Sequence, residues 1–414
     1  MSKTNSVSSL GSLRGAADPY RGAAIDRLRE LVECESPSGD VELLNVTRDS
    51  LRERWEALGL EVALVSGGMG DHIVGTLRSA TANLSGHVLF LSHYDTVWSS
   101  GELRHQPFVL EDDVARGPGT FDMKGGIVAL EIAFALLKER GLESCREVRV
   151  VSIADEEVSS IDGRRVVELE SRGAVCVFGL EPPNADGGFK NARRGVARVG
   201  LHVTGRAVHA GLDAAKGVSA VDEMVDQLMD LRAALPEAKD AACNVGRITG
   251  GTRANVVAGE AHAEIGLRFA TKSSEDALFA ALHSLTPHRE GAVVEVRVLS
   301  HRPAWDVAES SWLTDHVLAV SNALGEPTTA APAGGAGDTN FTGAAGIATL
   351  DGLGPRGANA HAQGEWVAIS SILDRAELLT ALMTYPLPVP AHEGLSVEDQ
   401  RASRNTPNET PIIR

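Results

Sequence analysis

Short apolar runs rich in β-branched residues alternate along this chain with longer segments in which apolar residues recur every three or four positions. The runs "HVLFLS" (87–92), "EVRVVSIA" (147–154) and "GAVCVFGL" (173–180) are strand-sized and almost uninterrupted, as strands buried on both faces are. Between the first two, Met123–Arg140 is long, mostly apolar and followed by Gly141, which predicts a buried helix with a glycine stop. Strands alternating with helices predict an α/β domain with helices layered on both faces of its sheet.

From about Gly195 the rhythm changes. "GVARVGLHVTG" reads as a strand, and Val218, Val221, Val225, Leu228 and Leu231 then recur at helical spacing. "CNVGRITGG" and "RANVVAGEAHAEIGLRF" read as two strands joined by a Gly-Gly turn, followed by a helix at "SSEDALFAALHSL" and a strand at "AVVEVRVLS". The order β-α-β-β-α-β predicts a small ferredoxin-like domain inserted at 195–304. The larger domain is then made of 1–194 and 305–414. Its last helix is expected near 371–384, with Ser371 and Asp374 as a capping box. The polar opening residues and the tail from about 396 to 414 are expected to be weakly ordered.

At 414 residues the chain exceeds what one core usually supports, which agrees with two domains. A net charge of −17 argues against nucleic acid or an anionic membrane as the main partner. Cys34, Cys145, Cys176 and Cys243 are scattered, so neither a disulfide framework nor a thiolate metal site is expected. With no apolar leader and no run of membrane-spanning length, a soluble cytoplasmic protein is expected.

The candidate chemistry lies where the apolar runs end. In "LSHYDTVW", His93 and Asp95 point to the same face of an extended chain. Asp122 stands in the glycine-rich "GPGTFDMKGG"; Asp155, Glu156 and Glu157 follow a strand in "SIADEEVSS"; Glu181 ends another in "VFGLEPPNA". Each has an ordinary reading as a hydrogen-bonded turn, a helix cap or a solvated acidic loop. Taken together they differ, because ligands of open α/β sheets gather beyond the carboxyl ends of the strands. Carboxylates crowded there repel one another unless a cation compensates, and the addition of histidine suits zinc, cobalt or manganese. A second histidine, His361, is available in "GANAHAQGEW".

The ordered set "SHYDTV", "GPGTFDMKGG", "ADEEVSS", "GLEPP", "VHAG" and "ANAHAQGE" resembles the dinuclear-zinc amidohydrolases and peptidases. That family includes glutamate carboxypeptidase, succinyl-diaminopimelate desuccinylase, acetylornithine deacetylase and aminoacylase. The resemblance covers most of the chain and is nearest to the glutamate carboxypeptidase branch. It implies a layered zinc-peptidase catalytic domain with an inserted lid and dimerisation domain, two zinc ions per subunit (cobalt or manganese as substitutes) and a homodimer. It implies that His93 and Glu181 hold one metal, Glu157 and His361 the other, and Asp122 both. Asp95 then supports His93, Glu156 is the general base, and the peptide after Asp122 is cis. His209 in "GRAVHAG" is implied to reach the partner's site, with Asn255 and Arg268 as anchors for a substrate carboxylate. Gly334 and Gly335, with Asp338, are implied to border the substrate in "AGGAGDTN".

One departure bears on specificity. Glutamate-releasing relatives carry an arginine just before that turn, where this chain has Ala331, Pro332 and Ala333. Lys190, Arg193 and Arg194 are the alternative cations. The expected activity is a carboxypeptidase acting on a small peptide or folate-like conjugate with a free carboxylate. The alternatives are an N-acyl-amino-acid deacylase and a non-catalytic binding protein of the same fold.

Overall fold

The structure, a computed structural model, describes residues 10–78, 86–235, 240–306, 311–385 and 387; the opening residues and the polar tail lie outside them. Arg194–Ala304 forms one compact unit, and the described residues on either side of it form the other.

In the larger unit the apolar runs are strands of a six-stranded sheet. The order is Glu61–Val65, His72–Leu77, Glu147–Ile153, His87–His93, Ala174–Gly179 and Thr349–Leu350. The last four are mutually parallel, and the first two form an antiparallel edge. From His87–His93 the chain crosses through helix Gly125–Arg140 to the strand on one side. It then crosses through helix Gly163–Glu170 to the strand on the other. The strand order therefore reverses at His87–His93, the kind of switch point beyond whose carboxyl end ligands of open α/β sheets bind. Helix Gly125–Arg140 is buried around nearly all its surface and stops at Gly141, which is left-handed with φ 57°. Its apolar residues face all directions because helix Ile369–Thr384 packs beside it.

That last helix corrects one expectation. It starts after Ala368 with no side-chain cap, and the Ser371 hydroxyl instead accepts from Arg356 N–H at 2.8 Å. The capping box at Ser371 and Asp374 does not form, because Ser371 already lies inside the helix.

A second, antiparallel sheet has the order Gly357–Ala358, Trp366–Ala368, Val114–Arg116 and Val109–Glu111. Pairing Trp366 with Arg116 sets the turn that carries Asp122 beside the loop that carries His361.

The smaller unit runs strand, helix, strand, strand, helix, strand, and its four-stranded antiparallel sheet is covered by both helices. Along Glu260–Phe269, Ala261, Ala263, Ile265, Leu267 and Phe269 are buried, with more exposed residues between them. Thr271 and Ser274 form a capping box at the second helix. In the first helix, Ala220–Ala234, Met224, Leu228 and Leu231 are buried, whereas Val221, Val225 and Met229 are exposed. The helical spacing read from the sequence thus spans two faces.

Beside the large sheet, Phe189–Arg193 pairs in parallel with Ala330–Ala333. At its end the buried Arg193 guanidinium bonds Asp351 and donates to the Gly335 and Ala336 carbonyls at 2.9 and 3.0 Å. Asp351 also accepts from the Thr339 hydroxyl at 2.7 Å and from Gly352 N–H at 2.6 Å. Breaking a buried pair strands a charge. Asp351→Asn should therefore lower stability by about 3–5 kcal/mol in denaturant unfolding; a loss below ~1 kcal/mol would show that Arg193 finds other partners.

Candidate metal centre

The carboxyl ends of three adjacent parallel strands supply most of the site. His93 is the last residue of the central strand, Asp155–Glu157 follow Ile153 on one side, and Glu181 follows Gly179 on the other. Two loops complete it: the turn before helix Gly125–Arg140, carrying Asp122, and the hairpin between Ala358 and Trp366, carrying His361.

These residues converge. His93 Nε2 lies 3.2 Å from Asp122 Oδ1 and 3.7 Å from Glu181 Oε1. His361 Nε2 lies 3.2 Å from Asp122 Oδ2 and 3.1 Å from Glu157 Oε2. The two oxygens of Asp122 thus face different imidazoles. Potential ligand atoms of His93, Glu156 and Glu181 lie within 4.8 Å of one another, as do those of His93, Asp122 and Glu157. Glu157 Oε1 is buried with no hydrogen-bond partner. An orphaned acceptor among carboxylates and imidazoles, at these separations, fits divalent metal ions with mixed nitrogen and oxygen ligands.

The electrostatics show the same crowding. Burial pushes Glu157 up to about 7, with Asp122 and Glu156 adding to the effect and His361 opposing it. Burial, then Asp122, pushes Glu181 up to about 7. Hydrogen bonds to Asp122 and Glu157 raise His361 to about 11. Burial would lower the His93 imidazole, but Asp122 and Asp95 hold it well above its ordinary value. Burial likewise works against the Asp122 carboxylate, and the two imidazoles pull it far below the usual carboxylate range.

Asp95 sits beneath this cluster, fully buried. Its carboxylate oxygens accept the backbone N–H groups of Glu156 and Glu157 at 3.1 and 3.2 Å, and Ser38 donates to Oδ2 at 2.6 Å. The His93 Nδ1 lies 3.0 Å from the Asp95 backbone carbonyl and 3.4 Å from its carboxylate. Asp95 therefore orients both His93 and the acidic turn. The Asp122–Met123 peptide is cis. Two residues on, the buried Lys124 ammonium donates to the Leu31 and Cys34 carbonyls at 2.7 and 3.1 Å, and burial lowers it to about 8. His361 is left-handed at φ 60° within a turn closed by Ala362 N–H to the Asn359 carbonyl.

Sequence reasoning missed Glu365, which is buried and accepts four N–H groups from the Trp98 and Asp122 segments. Its one signal was its place inside "ANAHAQGE". Among the alternative cations, Arg193 is already committed to Asp351 and two carbonyls, and Arg194 is exposed. Gly334 and Gly335 are exposed, and a Cβ on either would meet nothing within 4 Å.

His209, Asn255 and Arg268 belong to the smaller unit. There Ala210 N–H donates to the Asn255 carbonyl at 2.9 Å, so His209 and Asn255 share one end of the sheet. Arg268 stands at the other end of Glu260–Phe269, roughly 26 Å along an extended strand. The three are not brought together within one copy of this unit.

The sequence profile of Peptidase family M20/M25/M40 matches residues 89–385. The chain is 30% identical over 377 residues to carboxypeptidase G2 of Pseudomonas sp. (strain RS-16), covering 89% of this chain and 90% of that protein. It is 26% identical over 325 residues to succinyl-diaminopimelate desuccinylase of Pseudoalteromonas translucida, covering 72% of this chain and 83% of the relative. Among solved structures, aminopeptidase PepT of Bacillus cereus superposes with a TM-score of 0.69 at 22% identity, covering 88% and 98% of the two chains. That last likeness concerns the fold alone.

Proposed function

This chain belongs to Peptidase family M20/M25/M40, metallohydrolases of peptide and related amide bonds, and we propose that it is a two-zinc carboxypeptidase releasing an amino acid with a free carboxylate. The observation that carries this reading is the division of Asp122, one oxygen toward His93 and the other toward His361. On it, His93 and Glu181 would hold one zinc and Glu157 and His361 the other, with Asp122 available to both. Similarity to carboxypeptidase G2 along nine-tenths of its length supports the substrate class. Similarity to the desuccinylase favours an N-acyl-amino-acid deacylase as the second reading.

Zinc bound here supplies Lewis acidity and a water whose pKa is lowered toward neutrality. Glu156, held by Asp95 through its backbone N–H, takes the attacking water's proton and passes it to the leaving nitrogen as the C–N bond breaks. His209 Nδ1 accepts from Gly211 and Leu212 N–H at 3.1 and 3.2 Å, which leaves Nε2 as the proton-bearing nitrogen of the neutral ring. An outward N–H of this kind suits a developing oxyanion. Arg268 suits bidentate binding of the leaving group's carboxylate.

The spacing supports a homodimer, on the reading that Arg268, His209 and Asn255 all contact substrate. One ligand the size of a dipeptide cannot span the roughly 26 Å between Arg268 and the end of the sheet that holds His209 and Asn255. On this reading the two ends serve different sites, with His209 and Asn255 lent to a second copy. The exposed stripe of Val221, Val225 and Met229, with exposed Ile248 on the edge strand Ala241–Gly250, fits such a contact.

Released amine from a panel of N-acyl amino acids and dipeptides, with zinc-loaded protein, tests the activity. Arg268→Ala should lose about one to two decades of kcat/KM on free acids, as a lost charge-assisted pair costs roughly 1.5–3 kcal/mol. Matched amides should change far less. Side-chain preference should be flat, because Ala331, Pro332 and Ala333 offer no cation and Arg193 is engaged. Equal losses on acids and amides would remove Arg268 from the site, and a preference for glutamate conjugates by several decades would point first to Lys190, then to Arg194.

Subunit exchange tests the shared site. His209→Ala mixed with Glu156→Ala should regain activity, since each hybrid dimer holds one complete site. Hybrids shown to form yet inactive would mean that each site is self-contained.

A further inference from the structure

Glu365 is almost wholly buried, and every neighbour of its carboxylate is a donor. Oε1 accepts from Phe121 N–H at 2.8 Å and from Asp122 N–H at 2.9 Å. Oε2 accepts from Gly119 N–H and from the Trp98 indole N–H, both at 2.8 Å. The Glu365 backbone carbonyl takes Gly117 N–H at 3.2 Å, which extends the pairing of Trp366 with Arg116. One side chain thus ties together three segments: the one leading from His93 to Trp98, the turn from Gly117 to Asp122, and its own, which carries His361.

We propose that Glu365 is a positioning residue for the metal centre, fixing the backbone from which Asp122 reaches toward both imidazoles and locking that turn to the His361 loop. This rests on the metal-binding reading of the cluster. Only a carboxylate satisfies the cage. With two acceptor oxygens and no hydrogen it matches four donors, whereas an amide of the same shape must turn an NH2 against one of the two pairs. If that pair is Phe121 and Asp122, the Asp122 turn is released; if it is Gly119 and Trp98, the turn loses its other tether. The carboxylate also places a negative charge behind the cations that Asp122 would bind, as hydrogen-bonded groups around metal ligands commonly do. The family resemblance assigned this residue no role, and it touches no reacting atom.

The test measures zinc affinity by chelator competition, with wild-type and variant proteins at a temperature where their metal-free circular dichroism coincides. The visible spectrum of the cobalt-substituted proteins is recorded in parallel. Glu365→Gln should bind zinc about ten- to a hundredfold more weakly and shift the cobalt spectrum. Glu365→Asp keeps both acceptor oxygens on a shorter arm and should fall between it and the wild type. Trp98→Phe removes one donor while leaving the Oε1 pair on Asp122 intact, and should stay within about threefold of wild type.

Wild-type zinc affinity and an unchanged cobalt spectrum in a folded Glu365→Gln would overturn the proposal. Equal losses in Trp98→Phe and Glu365→Gln would overturn it too, by pointing to general packing of the loop. If neither Glu365 variant folds without metal, Glu365 is a folding element and the proposal fails. A wild-type protein that binds no zinc would overturn the metal-binding reading itself, and this proposal with it.

Discussion

Mutual repulsion among buried carboxylates is the constraint on which the rest of this structure depends. Asp122, Glu156, Glu157 and Glu181 crowd together at the strand ends, with His93 and His361 interleaved. Desolvation first, and then the neighbouring carboxylates, drive Glu157 and Glu181 toward neutrality, since a carboxylate removed from water and set beside another loses the stabilisation of its charge. Divalent cations reverse that logic: each supplies the charge that lets several carboxylates stay ionised at close range. The fold can present such a cluster because three parallel strands end side by side where the strand order reverses.

Holding unfavourable charges in place takes a rigid surround, and each neighbouring group has an identifiable share of that work. Asp95 clasps the Glu156–Glu157 backbone from beneath. Lys124 anchors the Asp122 turn to the end of helix Arg21–Glu33. Arg193 and Asp351 fasten the glycine-rich turn at 333–338 to the edge of the sheet. Each is buried and satisfied by several hydrogen bonds, the condition under which buried polar groups define one arrangement instead of weakening the core. The smaller unit is built on different terms, with a two-sided sheet, a regular alternation and an exposed apolar stripe on one helix.

Much of this was legible in the sequence, for physical reasons. Strands buried on both faces need continuous apolar runs, so "HVLFLS", "EVRVVSIA" and "GAVCVFGL" announce themselves, and the glycine after Arg140 ends its helix as read. Polar residues at the ends of such runs are conspicuous, which exposed His93, Glu156, Glu157 and Glu181. Asp122 and His361 lie in loops without periodicity; they stood out as candidates beside those strand ends, and the family resemblance gave them their separate roles. Glu365 was missed because a glutamate between glycine and tryptophan looks like any loop residue until the N–H groups around it are seen. Ser371 misled for a related reason. A hydroxyl that could cap a helix can equally bond a neighbouring loop, and spacing does not tell the two apart. The separation of Arg268 from His209 and Asn255 was likewise invisible, because it depends on which end of a strand each occupies.

The central claim is that two cations, shared through Asp122, neutralise this cluster. Anomalous diffraction from crystals of the zinc-loaded protein, with data collected on both sides of the zinc absorption edge, tests it most directly. Two peaks per subunit are expected, one flanked by His93 and Glu181, the other by Glu157 and His361, with Asp122 between them. A single peak, or two peaks that Asp122 does not bridge, would contradict the account.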